Sequence, residues 1–223
     1  MIYLIPTPIG NLEDMTFRGV RLLKEVDLIL AEDTRTSQKL LNHYAILTPM
    51  KSFHMHNEHH KVAQILERVK QGETIALISD AGTPGISDPG YLLVHEALKL
   101  DLRVYCLPGP TALIPALVQS GLPSDRFIFE GFLPQKKGRQ AKLEQMAQEV
   151  RTLVFYESPH KLLKTLGQML PYFGTDRKLS ISREMTKKFE SHYRGTLEGA
   201  IHFFEQHPPK GEFVLVVEGN KKK

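Results

Sequence analysis

Short apolar runs alternate along the chain with segments whose apolar residues recur every three or four positions. Runs of the first kind predict buried strands, and segments of the second kind predict amphipathic helices. In the first half, strands are predicted at residues 2–5, 28–31, 51–53, 74–78 and 103–107, and helices at 16–26, 37–43, 58–70, 91–99 and 111–119. Strands that alternate with helices in this way indicate a mostly parallel sheet.

The turn-forming residues 121–124 predict a domain boundary. Beyond it, strands are predicted at 127–129, 153–156, 179–182, near 193 and at 213–217, with helices at 140–149, from 158 to about 172 and at 197–206. Ser158 is the expected N-cap of the second of these helices, with Pro159 at its first position. The sequence therefore predicts two α/β domains, residues 1–121 and 122–223, joined by a short hinge.

The most informative segment is TIALISDAGTPGISDPG, residues 74–90. A predicted strand stops at Ser79-Asp80, and the next ten residues hold three glycines, two prolines and a second aspartate. Glycine permits positive φ and close approach of another molecule to the main chain, while proline fixes φ. At the carboxyl end of a strand in an α/β sheet, such a loop is typical of ligand binding. The alternative is a tight surface turn.

Four segments share this design of strand, abrupt stop, polar or Gly/Pro-rich loop and helix: 6–11, 79–90, 108–112 and 156–160. The first three should meet at one edge of a parallel sheet and hold a ligand largely through main-chain groups. G-x-G-x-x-G and G-x-x-x-x-G-K-[ST] are both absent, which argues against a dinucleotide fingerprint and a phosphate-cradling NTPase. Asp80 and Thr111 could bind an amino acid or ribose group, or could cap their own loops.

Composition favours a globular protein of the cytoplasm. The chain is 41% apolar and 24% charged, and no apolar run approaches the roughly 20 residues that span a bilayer. The N-terminus lacks a signal-peptide pattern, and the single cysteine, Cys106, is expected to be a buried, inert thiol. Residues 1–124 carry a net charge of −2 and the remainder +6, which favours an anionic partner such as nucleic acid.

Seven segments, in the same order, resemble the tetrapyrrole methylase family, in particular its members that methylate small-subunit ribosomal RNA. The segments are PTPIGNLEDMTFR, LAEDTRTSQKLL, ALISDAGTPGISDPG, LPGPTALIPAL, SGLPSDRFIFEGFLPQKKGR, FYESPHKLLKTL and SREMTKKFE. The resemblance implies a homodimer that binds S-adenosylmethionine in the cleft between two α/β domains. It also implies methyl transfer to a cytidine ribose 2′-hydroxyl in the decoding region of 16S rRNA, as naked RNA or in the assembled subunit.

The resemblance also assigns residues. The implied cofactor contacts are Pro8, Gly10, Asp80, Ala81, Gly82, Thr83, Ile86, Thr111, Ala112, Tyr156 and Met185. Glu184 and Lys187 are candidates to assist deprotonation of the hydroxyl, Lys187 if burial lowers its pKa; alternatively they form a surface ion pair. Lys136, Lys137, Arg139 and Arg183 are candidates for phosphate contacts, although residues 136–139 could equally form a solvated loop.

Four histidines at positions 54, 56, 59 and 60 suggest zinc, yet no cysteine or distant partner joins them, so no metal site is predicted. Glu32 to Arg35 could line the cleft or serve as a local cap. Longer members of the family continue past the last strand, whereas this sequence ends at Lys223. Two rival functions stay open: a methyltransferase of the same fold acting on a tetrapyrrole or other small molecule, and a ribosome-associated binding protein without turnover.

Overall fold

The computed structural model describes residues 1–55 and 57–221. The chain divides into two compact units, Met1–Thr111 and Ala112–Lys223. Each is an α/β unit built on its own five-stranded sheet, so the predicted fold class is confirmed.

The sheet of the first unit is entirely parallel. Its strands are β1 (Ile2–Leu4), β2 (Leu28–Ala31), β3 (Met50–Ser52), β4 (Ile75–Ile78) and β5 (Val104–Cys106). They lie in the order β3-β2-β4-β1-β5. Because every strand runs the same way, the loops that follow β1, β4 and β5 leave from one edge of the sheet.

Helices cover both faces of this sheet: α1 (Phe17–Glu25), α2 (Thr34–His43), α3 (Glu58–Lys70) and α4 (Tyr91–Lys99), with a 3-10 turn at Leu12–Asp14. Two of the three interior strands, β2 and β4, are buried along their whole length. Along β2, Leu28 and Leu30 join one apolar cluster and Ile29 joins the cluster on the opposite face. Strands buried on both faces explain why these segments read as continuous apolar runs.

The second unit has a mixed sheet. Its elements are α5 (Leu113–Gln119), β6 (Phe127–Phe132), α6 (Arg139–Ala147), β7 (Thr152–Glu157), α7 (Leu162–Phe173), β8 (Lys178–Arg183), β9 (Ser191–Thr196), α8 (Leu197–Gln206) and β10 (Phe213–Val217). The strand order is β6-β7-β10-β8-β9, in which only β6 and β7 pair in parallel. The helix α5 packs against β7 and β10, although the sequence pattern assigned its residues to the first domain.

Two local predictions are wrong. Helix α7 begins at Leu162, not after Ser158, because the Ser158 carbonyl accepts hydrogen bonds from the amides of Lys161 and Leu162 and closes a turn first. Cys106 is exposed, because β5 is an edge strand of its sheet. None of the helices in the described part of the chain is long and apolar enough to cross a membrane.

Candidate active site

The three loops at the carboxyl edge of the first sheet meet, as predicted. Thr7 and Gly82 exchange a pair of main-chain hydrogen bonds, both 2.9 Å, which form an isolated antiparallel bridge. The Thr83 hydroxyl donates to the Pro110 carbonyl at 3.1 Å. The loops after β1, β4 and β5 are therefore joined into one cluster, which we call the loop cluster.

Two buried hydroxyl groups, which the sequence analysis did not identify, form hydrogen bonds with main-chain carbonyls of the loop cluster. Thr7 is 1% exposed and Ser79 is 2% exposed. The Thr7 hydroxyl donates to the Ser79 carbonyl at 3.0 Å, and the Ser79 hydroxyl donates to the Gly82 carbonyl at 3.2 Å. The Thr7 hydroxyl thus donates to the Ser79 carbonyl, and the Ser79 hydroxyl is a second donor to the Gly82 carbonyl, which also accepts from the Thr7 amide.

Glycine is required at two positions of the loop cluster for different reasons. Gly82 has φ +83°, a conformation that side chains with Cβ rarely adopt. At Gly109 the constraint is space, because a Cβ there would lie 2.7 Å from Cβ of Pro6. Backbone conformation and close loop packing, rather than side-chain chemistry, determine these residues.

Carboxylates gather beside the loop cluster. The Asp80 carboxylate accepts a hydrogen bond from the Asp33 amide at 3.1 Å, so it caps the neighbouring loop rather than its own. Burial, followed by repulsion from Asp80, raises the pKa of Glu32. Burial and the negative charge of Glu32 raise the pKa of Asp88 to about 7, whereas hydrogen bonds from Arg35 hold the pKa of Asp33 at about 2. Asp88 was not among the predicted site residues, although it belongs to the same loop.

The remaining cofactor candidates of the first unit lie at its loop surface. Gly10 and Ala81 are exposed, Ile86 is also largely exposed, and Pro8, Thr83 and Thr111 are partly buried. Ala112, the first residue of the second unit, is the N-cap of α5. Apart from Ala112, the candidates named so far all belong to the first unit.

In the second unit, Tyr156 stands at the end of β7 within a small aromatic cluster. Its ring makes edge contacts with Phe129 and Phe132, with ring centroids 5.0 and 5.7 Å apart. Met185, the other cofactor candidate of this unit, is buried.

Glu184 and Lys187 are in direct contact. The Lys187 ammonium donates to Glu184 Oε1 at 3.0 Å and to Glu212 Oε2 at 2.7 Å, and the Glu212 amide also donates to Glu184 Oε1 at 2.8 Å. Burial by itself would lower the pKa of Lys187, but the hydrogen bonds to Glu212 and Glu184 outweigh it and raise that pKa. The condition under which Lys187 could accept a proton, a pKa lowered by burial, is therefore not met.

The carboxylate of this pair is shifted in the complementary direction. Partial burial opposes ionisation of Glu184, yet hydrogen bonds from the Glu212 amide and from Lys187 prevail and lower its pKa. A carboxylate with a lowered pKa is a weak base, and a lysine with a raised pKa stays charged at neutral pH. The arrangement is an ion pair with a fixed position rather than a pair in which one partner is ready to accept a proton.

The backbone at this turn is strained. Glu184 and Thr186 have φ of +49° and +65°, which is uncommon for residues other than glycine. The turn is held by the Thr186 amide, which donates to Glu190 Oε2 at 2.7 Å. Gly211 must stay small, since a Cβ there would collide with the Glu184 side chain.

The predicted phosphate contact of Arg139 does not fit its position, because this side chain is only 8% exposed. Its guanidinium donates to Gln168 Oε1 at 2.7 Å, to the Pro134 carbonyl at 3.1 Å and to Thr165 Oγ1 at 2.6 Å. The Thr165 hydroxyl in turn donates to the buried Glu157 carboxylate at 2.5 Å. Arg139 thus links the Pro134 carbonyl to Thr165 and Gln168 of α7, and we call it the buried clamp.

The other proposed phosphate ligands differ from Arg139. Lys136 and Lys137 are exposed, and Arg183, which is partly buried, donates from Nε to the Lys210 carbonyl at 2.6 Å. We call residues 134–138, which connect β6 to α6 and carry both lysines, the basic turn.

Among the described residues, no group of His, Cys, Asp and Glu side chains is arranged to hold a metal ion. His54 contacts the Asn57 amide at 2.9 Å, and His59 and His60 are exposed in the first turn of α3. Position 56 lies outside the described residues.

The family model of the tetrapyrrole (corrin/porphyrin) methylases matches residues 1–201. The chain belongs to this family, so the predicted family and the predicted methyltransferase class are confirmed.

Similar proteins carry a more specific name. A protein of Synechocystis sp. named ribosomal RNA small subunit methyltransferase I is 52% identical over 220 residues, which are 98% of this chain and 79% of that protein. A protein of the same name from Thermotoga maritima is 47% identical, with 99% of each chain covered.

Solved structures agree on the fold. A diphthine synthase superposes with a TM-score of 0.77 at 11% identity, covering 100% of this chain and 91% of that one. The uroporphyrin-III C-methyltransferase of Thermus thermophilus, complexed with S-adenyl homocysteine, gives a TM-score of 0.66 at 18% identity over 97% and 96% of the two chains. At these identities the likeness concerns the fold alone.

Proposed function

We propose that this protein transfers the methyl group of S-adenosylmethionine to the ribose 2′-hydroxyl of a cytidine in the decoding region of 16S rRNA. The observation that carries the proposal is 52% identity, over 98% of the chain, to a relative named as a methyltransferase of small-subunit rRNA. In addition, the Gly/Pro-rich loops of this chain form one cluster at the carboxyl edge of a parallel sheet, where α/β proteins bind small ligands.

The carboxylates beside the loop cluster suit the positive charges of S-adenosylmethionine. The cofactor carries a sulfonium and an ammonium group, and Glu32, Asp33, Asp80 and Asp88 surround the cluster with negative charge. Gly82 is buried, and its positive φ lets the second loop pair with the first through Thr7. We therefore assign the cofactor to Pro8, Gly10, Asp80, Ala81, Gly82, Thr83, Ile86, Thr111 and Ala112, with Tyr156 and Met185 from the second unit.

The chain's part in the reaction is mainly to position the two reactants. A sulfonium is a strong methyl donor, so an aligned hydroxyl and exclusion of water supply much of the rate. Neither Glu184 nor Lys187 has a pKa suited to a general base at neutral pH. As the O–C bond forms and the S–C bond breaks, the hydroxyl proton passes to solvent water, and we assign to Lys187 the role of a fixed cation that stabilises the negative charge this leaves on the ribose oxygen.

For RNA contacts we retain Lys136, Lys137 and Arg183 and leave out Arg139, whose guanidinium is used inside the unit. Exposed cations contact phosphates without reading sequence. The choice of nucleotide must therefore come from other groups. The homodimer, the assembled subunit as substrate and a location in the cytoplasm also belong to the proposal.

The test is transfer of radiolabelled methyl from S-adenosylmethionine to small ribosomal subunits from a strain lacking the activity, followed by nucleoside analysis. We expect labelled 2′-O-methylcytidine. Naked 16S rRNA and a porphyrinogen serve as parallel acceptors. Label on the porphyrinogen alone, or cofactor binding without label on any acceptor, would overturn the proposal in favour of one of the two rival functions.

A further inference from the structure

Phe132, in the second unit, is one of several exposed aromatic residues and lies at the end of a strand that is otherwise covered. Phe132 is the last residue of the edge strand β6 and is 59% exposed, whereas every other residue of that strand is buried or half-buried. Exposure of an aromatic ring to water has a cost in free energy. A ring kept in this position therefore suggests a ligand.

The Phe132 ring is braced rather than loose. Phe132 pairs across the strands with Tyr156, and the two rings meet edge to face with centroids 5.7 Å apart and planes inclined by 61°. Tyr156 is supported in turn by Phe129 at 5.0 Å. Such a brace holds one face of an aromatic ring in a defined orientation.

Positive charge follows the ring directly in the chain. Lys136 and Lys137 are exposed, and neither side-chain ammonium group makes a hydrogen bond or an ion pair with any of the described residues. The nearest acid in sequence, Glu130, is already paired with Lys142 at 2.6 Å. The basic turn therefore presents two lysines whose charge is not neutralised by the protein.

The basic turn is also held in one conformation. Leu133 and Arg139, one on each side of it, are buried, and the Arg139 guanidinium bonds the Pro134 carbonyl across the turn. Gly138, with φ +80°, completes the chain reversal. A preorganised turn loses little conformational freedom when it binds a ligand.

We propose that Phe132 is a stacking platform for an unpaired base of the RNA substrate, while Lys136 and Lys137 contact phosphates of the same strand. The inference rests on the proposed function and deepens it by naming how single-stranded RNA is held. A stacking aromatic beside a cationic groove is the usual means of binding single strands, because every base offers a π face. It also supplies a base contact, which the lysines alone do not.

The chain contains no tryptophan, so Phe132→Trp introduces a single fluorescent reporter at the site. We expect a short single-stranded RNA of decoding-region sequence to quench this tryptophan and to bind with nearly wild-type affinity. Phe132→Ala and Phe132→Leu should each bind the same RNA about tenfold more weakly, within the range found when a stacking aromatic is removed. Affinity for S-adenosylmethionine, measured by calorimetry, should stay unchanged in all three variants.

The salt dependence of RNA binding distinguishes the contribution of the Phe132 ring from that of Lys136 and Lys137. The double variant Lys136→Gln/Lys137→Gln should reduce the salt slope of RNA binding by about 0.7 for each lost phosphate contact. Phe132→Ala should leave that slope at its wild-type value.

Three results would overturn the inference. They are a leucine variant that binds RNA like the wild type, a loss of cofactor affinity with RNA affinity intact, and a change of oligomeric state in sedimentation that accounts for the defect. The outcome is independent of the methylation assay. Quenching by RNA without labelled 2′-O-methylcytidine would contradict the proposed function only, and methylation without any effect at Phe132 would contradict the platform only.

Discussion

In the first unit, the loops after β1, β4 and β5 are joined mainly by main-chain atoms, such as the paired bonds between Thr7 and Gly82. In the second unit, the basic turn depends on one side chain, Arg139, which binds three different groups. The loop cluster therefore restricts residue size and φ, whereas the basic turn restricts one buried charge. Substitutions should harm the two regions in different ways.

The largest expected effect is at the buried clamp. Arg139→Met keeps the apolar stem but removes the charged donor to Gln168, the Pro134 carbonyl and Thr165, so unfolding free energy should fall by about 3 kcal/mol. Urea unfolding followed by circular dichroism measures it. Arg151→Met is the matched control, because Arg151 forms an exposed pair with Glu149 and such pairs add little. Equal stability of the two variants would show that Arg139 is not a clamp.

In the loop cluster, Gly109→Ala should act through steric conflict. The new methyl would lie 2.7 Å from Cβ of Pro6, and accommodating it should cost about 1–3 kcal/mol. Because two cofactor loops would be pushed apart, calorimetry should also show weaker S-adenosylmethionine binding. The control is Gly167→Ala in α7. A Cβ at Gly167 would have no neighbouring atom within 4 Å outside its own helix backbone, and alanine in a helix should stabilise the protein by up to about 1 kcal/mol. If Gly109→Ala left cofactor affinity unchanged, the contact between Gly109 and Pro6 would not be part of the cofactor site.

The acidic surroundings of the loop cluster predict a pH dependence. Since burial raises the folded-state pKa of Asp88 to about 7, its contribution to stability is present below the ordinary carboxyl pKa and is lost as pH rises through 7. Asp88→Asn should therefore stabilise the protein at pH 8 by about 1–2 kcal/mol after allowance for solvent screening, and hardly at pH 4.

Cofactor affinity supplies the second half of that test. Ionised Asp88 favours the cationic cofactor, so wild-type affinity should rise between pH 6 and 8 and the rise should flatten in Asp88→Asn. Asp33→Asn should behave oppositely in stability, because a lowered pKa means that its contribution exists at pH 8 and is lost in acid. If the stabilities of Asp88→Asn and Asp33→Asn changed with pH in the same direction, the opposite pKa shifts assigned to Asp88 and Asp33 would be contradicted.

The smallest effect on stability is expected at Lys187. Its pKa is raised by Glu212 and Glu184, so it contributes below the ordinary lysine pKa and loses that contribution as pH rises through the folded value. Lys187→Met should cost at most about 1 kcal/mol at pH 7. In methyl transfer, Lys187→Arg should retain much more of the rate than Lys187→Met. Equal loss in both would indicate a proton acceptor, since arginine cannot accept one.

The sequence predicted most of the architecture because the pattern was strong. The bounds of β2, α3, α4, α8 and β10 agree with the structure, as apolar periodicity and flanking turn residues mark them on both sides. The convergence of the loop cluster also followed, since parallel strands end at one edge. The antiparallel pairing in the second unit was not predictable in this way, because strand order depends on contacts between distant segments.

The candidate site was predicted less completely. Arg139 reads in sequence as one cation in a run of three, and its burial depends on Thr165 and Gln168, which lie in α7. The raised pKa of Lys187 depends on Glu212, 25 residues away. Asp88 stood in the predicted loop, yet its raised pKa comes first from burial and then from the charge of Glu32 on a neighbouring strand end. Each of these errors concerns a long-range contact of a charged side chain.

The clamp at Arg139 has an evolutionary consequence. Because folding of the basic turn is assigned to a residue outside its exposed part, positions 135–137 can change charge and size without endangering the unit. The strength of RNA binding and the stability of the unit can then change independently. A randomised library at these three positions should yield folded proteins throughout, while varying in how tightly they bind RNA.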